Sequence, residues 1–304
     1  MKELVIFFNL ITILMSCSKS TTDTKTNKND TINTMYYVNY NFSFPYEISI
    51  NDVLLEKDVF NGRSGPDRLN NYILNSGRQK ISIKVFAPKD YNNGLLKDKD
   101  LQILSEQSAL YKVNNSDKSY NLIKRLKFSP IPKDLPFYEQ EWEFDANVPN
   151  EIIGWKNSKD LTKLDKEELQ EKVQKKFQEL YNQLNEGKVG NFLDEIQVSS
   201  NEFFKTNYFN KSQEIEYTDN LKNSYSNFKG KMIPYNKGIL RIMGNGKTVT
   251  LEIPDGKYRG MGVLIAEDRE KQNVYYNTVI LHIPQGAEEV KVIRINSIGG
   301  KLPK

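Results

Sequence analysis

The run MYYVNYNFSFPYEISI, residues 35–50, decides the fold class of the first half of this chain. Tyr36, Val38, Tyr40, Phe42 and Phe44 take every second position, with Asn39, Asn41 and Ser43 between them. A period of two puts the apolar groups on one face of an extended chain, as in a half-buried strand. Tyr46, Ile48 and Ile50 keep the same parity beyond Pro45. A proline gives no N–H to a ladder, so it marks an edge or a bulge. Downstream, Asn51 and Asp52 offer a turn into Val53, Leu54 and Leu55, and residues 61–66 read as a loop. Ile81, Ile83 and Val85 then alternate with Ser82 and Lys84. Residues 101–113, 120–128 and 139–144 are predicted to add strands, the last two separated by Pro130, Pro132 and Pro136. Short strands punctuated by turns predict an antiparallel β-sandwich over residues 35–159.

The second half, residues 160–304, has another texture. Asp165 is placed to cap a helix, with Glu168 three residues on. Leu169, Val173, Phe177, Leu180, Tyr181 and Leu184 follow at helical spacing, and Gly187 offers a C-terminal cap. Phe192, Leu193 and Ile196 predict a second, shorter helix. Residues 203–209, with Tyr217, Leu221 and Tyr225, suggest more helix, with loop as the alternative over 207–227. From residue 229 the pattern turns to strands, predicted at 238–243, 248–253, 260–266, 274–283 and 290–295. Gly244-Asn245-Gly246 and Pro254-Asp255-Gly256 supply turns. Helices followed by an antiparallel meander make an α+β layout. The fold class expected for the whole chain is therefore mixed.

Two stretches resemble known families. Leu69-Asn70-Asn71-Tyr72-Ile73, followed by Gly77 and an alternating strand, is similar to a pattern in β-sandwich modules of sugar-active proteins. There it is scaffold, so the resemblance implies a sandwich and not sugar binding. The segment from Phe177 through Leu180, Tyr181, Asn185 and Gly187 to Phe192 and Leu193 resembles the opening helices of the NTF2-like fold. Lys188 stands where that family commonly has an acidic residue. Members of the fold include enzymes and binding modules, so the resemblance implies no reaction.

The N-terminus carries the most specific signal. Lys2 opens a short basic start, offset by Glu3, and residues 4–15 are apolar apart from Asn9 and Thr12. Leu14-Met15-Ser16-Cys17 resembles the lipobox of bacterial lipoproteins: an aliphatic residue three before the cysteine and a small one just before it. A dozen apolar residues are too few for a spanning helix, which needs about 20. Residues 1–16 are therefore predicted to be a signal peptide and Cys17 the lipidated residue. Residues 18–34 hold one aliphatic side chain, Ile32, and no aromatic, so they are expected to be a flexible tether. The resemblance implies more than one acyl chain on Cys17, palmitate among them. One chain alone anchors only marginally. The Asn- and Lys-rich style resembles lipoproteins of the Bacteroidetes type. The expected location is the cell envelope, on a membrane, with the outer membrane favoured and the facing side open.

Composition argues several chemistries down. The net charge is +4, from 43 basic against 39 acidic residues interleaved along the chain, without the basic stripe of a nucleic-acid binder. With one cysteine and one histidine, the folded part can form no disulfide and no zinc site of the Cys or Cys/His type. No Asp-x-Asp-x-Asp-Gly calcium loop occurs, so neither metal nor cofactor is expected. Gly244-Asn245-Gly246-Lys247-Thr248 imitates a phosphate loop, but Arg241 stands where the first glycine belongs and a strand is predicted to follow. His282, within an apolar strand, lacks a Gly-x-Ser-x-Gly partner. Glu139, Glu141 and Glu143 alternate along one strand, as on a solvated face. The expectation is a non-enzymatic binding lipoprotein with a protein partner, of the immunity type in one version. The alternative is a glycan-binding or carbohydrate-active lipoprotein, for which Trp142 and Trp155 are the candidate ligand platforms, set against a core role for both.

Overall fold

The computed structural model describes residues 33–114, 117–235 and 237–302. The signal, Cys17 and nearly all of the tether lie outside the described residues. The first half supplies β1 (Thr34–Asn39), β2 (Tyr46–Ile50), β3 (Val53–Asp58), β4 (Asp67–Arg68), β5 (Gly77–Phe86), α1 (Asp98–Glu106), β6 (Ala109–Asn114), β7 (Tyr120–Arg125) and β8 (Phe137–Ala146). They form two antiparallel sheets, ordered β4-β1-β6-β7 and β3-β2-β5-β8. Side chains from both sheets share one core: Val38 and Leu110 from the first, Ile48, Ile50, Ile81, Ile83 and Phe144 from the second.

The opening alternation is split between the two sheets. β1 lies in one and β2 in the other, and residues 40–45 carry the chain across. Tyr36, Val38, Tyr40, Phe42, Tyr46, Ile48 and Ile50 are all buried nonetheless. Parity survives because both sheets turn their inner faces to the same core.

Residues 101–106 correct the expectation of a strand. They belong to helix α1, and β6 starts only at Ala109. Leu101 and Leu104, three apart, are the buried pair, which is a helical spacing. The Asp100 carboxylate accepts from the Lys97 backbone N–H at 2.8 Å and closes the first turn.

The second half contributes α2 (Lys166–Glu186), α3 (Val189–Glu195), α4 (Gln197–Thr206) and α5 (Lys211–Ser226). Then come β9 (Ile239–Met243), β10 (Thr248–Glu252), β11 (Leu264–Asp268), β12 (Asn273–His282) and β13 (Lys291–Lys301). Asp165 caps α2 by accepting from the N–H groups of Glu167 and Glu168, and Gly187 ends it at φ 75°. Leu169, Val173, Phe177, Leu180 and Leu184 are buried against strand residues such as Val249, Leu251 and Val279. Residues 211–226, left between helix and loop by their pattern, are helical and capped by Asn210. The five strands form one antiparallel sheet, in which β12 pairs with β10, β11 and β13.

The halves are knitted together. Met243, Ile280 and Ile293 of the third sheet pack into the sandwich core. Between β2, β3, β9 and β10 runs a closed ring of four charges. Lys57 reaches Glu47 at 2.6 Å and Glu252 at 3.0 Å, and Arg241 reaches the same two carboxylates at 2.8 and 2.9 Å. Each ion in the ring has two opposite neighbours, which is what offsets the cost of taking it out of water.

Candidate functional site

Helix α4 lines a concave surface of the molecule. On one side it is clamped. Glu202 accepts from the Gly154 backbone N–H at 2.8 Å and sits 2.7 Å from Nη1 of Arg294, on β13. Arg294 is fully buried, with its Nε donating to the Asn71 carbonyl at 2.8 Å and the Trp155 ring 5.2 Å from the guanidinium carbon. Glu202 and Arg294 form an ion pair, and Nη2 has no acceptor among the described residues. Farther along, Asn207 accepts from Arg68 of β4 at 3.0 Å, and the Tyr208 hydroxyl donates to the Thr34 carbonyl at 3.2 Å. The Asn150 amide donates to the Lys205 carbonyl, and Lys205 Nζ donates to the Glu151 carbonyl.

On its other side α4 is open. Two hollows, of about 540 and 350 Å³, meet at Asn201, Phe204 and Glu214. The larger continues to Tyr208 and Phe209, and the smaller runs between α3 and α5 past Leu193, Ile215 and Leu221. Ile215 is 54% exposed. The floor is stiffened by aromatic contacts: Phe203 stacks on Tyr217 at 4.8 Å and Phe204 on Phe209 at 5.8 Å. The groove is thus built on a helix held from behind at several points, with an apolar patch left open to water.

The residues singled out by sequence fall elsewhere. Trp142 and Trp155 are 9% and 5% exposed. Trp142 packs edge-on against Phe128 at 5.1 Å, and its indole N–H donates to the Lys127 carbonyl. Trp155 lies against Arg294. Neither presents a ring face to solvent, so both act as core. Glu139, Glu141 and Glu143 face outward and pair across the sheet with Lys84, Lys80 and Arg78 at 3.4, 2.8 and 3.4 Å. Gly244-Asn245-Gly246 sits between β9 and β10, with Gly244 and Asn245 bonded to Asp52, and a strand follows as expected. Residues 254–256 lie in a wider loop closed by the Gly260 N–H on the Ile253 carbonyl.

Two polar clusters escaped sequence reasoning. His282 Nδ1 lies 2.7 Å from the Ser158 hydroxyl, an arrangement that resembles half of a nucleophilic site. Both side chains are buried. Burial and, after it, the Arg294 cation push the imidazole down to about 4, so it is neutral at physiological pH. The second cluster joins Glu56, Asp67, Tyr40 and Tyr46. Tyr40 donates to Asp67 and shares a 3.0 Å bond with Tyr46, while Asn296 donates to Glu56 at 3.0 Å. Burial, then the neighbouring Asp67, holds the Glu56 carboxyl well above its ordinary range; burial raises Asp67 as well. Neither cluster opens into the groove. Among the described residues, no group of three or more His, Cys, Asp or Glu is arranged to hold a metal, and no helix is long and apolar enough to cross a membrane.

No family model, no curated protein and no solved structure matches this chain.

Proposed function

We propose that this chain is a membrane-anchored envelope lipoprotein that holds a protein partner in the α3–α5 groove, with lipid on Cys17 and residues 18–33 as the tether. The observation that carries the binding role is the groove itself: Ile215 of α5 stands 54% exposed, with half-buried Leu193 and Leu221 beside it, against a helix, α4, that is clamped from behind. A wall fixed in this way has less conformational freedom to lose when it binds. Its position supports the anchored reading too. Tyr208, which lines the larger hollow, bonds to Thr34, where the chain coming from Cys17 joins β1. The glycan alternative required an exposed indole at Trp142 or Trp155. With both buried, no observation favours it.

Two measurements test the proposal. Cys17→Ala should abolish fatty-acid labelling and move the protein from membrane to soluble fractions; unchanged labelling and retention would end the anchor claim. For the binding role, residues 18–304 would be immobilised and probed with envelope and secreted fractions of the native organism. Ile215→Arg should remove the dominant retained protein, because it plants a charge in the apolar floor. Equal retention by that variant would move the partner off the groove.

A further inference from the structure

The walls of the smaller hollow carry an excess of negative charge: Asp194, Glu214 and Asp219 stand against a single cation, Lys211. Asp194 on α3 and Asp219 on α5 both line the smaller hollow, and both are exposed. Among the described residues neither carboxylate has a hydrogen-bond or ion-pair partner. Lys211 is paired with Glu214 at 3.0 Å, and Lys205 lines only the larger hollow, where its Nζ donates to the Glu151 carbonyl at 2.6 Å. Between the walls lie Leu193, Phe204, Ile215 and Leu221. A protein of net charge +4 therefore presents one hollow, between α3 and α5, in which acids outnumber bases beside apolar side chains.

From this pairing of charge and apolar floor we infer that the α3–α5 groove takes a cationic amphipathic segment of a partner protein. Its apolar side chains rest on Phe204 and Ile215, and its Lys or Arg groups reach Asp194 and Asp219. The inference rests on the binding role proposed above and specifies the chemistry of the partner. Three physical points select this occupant. The acids on both walls repel anionic lipid headgroups and anionic polymers, and attract cations from either side. The groove follows α5 from Lys211 to Leu221, about 15 Å of helix, which suits a segment of two to three helical turns. The hollows are open to solvent along their length, so they would enclose a small molecule poorly but can seat one face of a helix.

The test is a fluorescence-anisotropy titration of residues 18–304, which retain every described residue and so both cores. Three labelled peptides of about fourteen residues, or about four helical turns, share one leucine face. Their polar faces carry Lys, Gln or Glu. The Lys peptide should bind at least about tenfold more tightly than the Glu peptide, the gap narrowing in high salt as exposed charges are screened. Asp194→Asn with Asp219→Asn should close most of that gap, and Ile215→Ser should weaken every peptide that binds. All three sites are exposed, so unchanged thermal melting confirms that the variants fold. Equal, Ile215-dependent binding of the Lys and Glu peptides would overturn the cationic specification while leaving the groove reading intact. No Ile215-dependent binding of any peptide would overturn both. Tighter binding of the Lys peptide after residues 18–32 are replaced by Gly and Ser would assign the groove to this chain's own segment, and that too would overturn the inference.

Discussion

The two sides of helix α4 are built from the same ten residues and do opposite things. Toward β13 the helix is bound by charge: Glu202 meets a fully buried Arg294, and the Asn71 carbonyl, Trp155 ring and Gly154 N–H complete the contact. Toward α5 it offers Asn201, Phe204 and Lys205 to an open groove. The buried side cannot change without leaving an ion in a dry interior, whereas exposed positions that line the groove, Asn201 and Ile215 among them, can change with little effect on folding. A binding surface gains from this division, because the clamp holds the shape and leaves the exposed residues free to set specificity.

The sharpest way to break the comparison is Glu202→Ala. It leaves Arg294 buried without its counter-ion, and a cost of about 3–5 kcal/mol is expected in urea denaturation. A loss under about 1 kcal/mol would show that water reaches Arg294 and that the clamp is not dry. The next effect comes from His282, whose acid range is set partly by the same Arg294. Its folded value, about 4, lies below the ordinary value of 6.5, so the unfolded chain takes up the proton first. Its contribution is fully present above pH 6.5 and is lost as pH falls towards 4. His282→Gln should therefore flatten the decline in stability over that range by about 3 kcal/mol, measured by denaturation at each pH. Because His282 is the only histidine, no second imidazole can produce the same signature. The smallest stability effect belongs to the open side: Ile215→Ser should shift unfolding by less than about 0.5 kcal/mol while abolishing partner capture. A large loss of stability from that change would mean that α5 depends on Ile215 for packing and would blur the contrast.

Much of the architecture could be read locally. The alternation through Tyr36, Val38 and Tyr40, the α2 spacing from Leu169 to Leu184, and the caps at Asp165 and Gly187 each encode one element by rules that act within a few residues. Reading failed where two periods overlap. Residues 101–113 hold a short helix and a strand end to end, and an apolar run that short does not separate period three from period two. Residues 211–226 bury only Tyr225 fully, so they left a weak apolar stripe to find. The groove was less legible still. Its lining comes from α3, α4, α5 and the loops at residues 150 and 208, and nothing in any one of them marks a site. His282 was noticed as the only histidine, but Ser158, 124 residues away, was not. Arg294 lies inside the predicted strand 290–295, where nothing in the local pattern marks it.

By itself the sequence determined the element types over most of the chain, the sandwich followed by helices and meander, and the narrow stock of reactive groups. These depend on spacing, turn chemistry and counts, which are local or compositional quantities. Only the tertiary structure decided that both tryptophans belong to the core, that Arg294 and Glu202 pair behind α4, and that Asp194 and Asp219 line one hollow together with Leu193, Ile215 and Leu221. Those facts depend on which distant segments share a neighbourhood and how much water remains between them, and burial of that kind is a property of the packed chain.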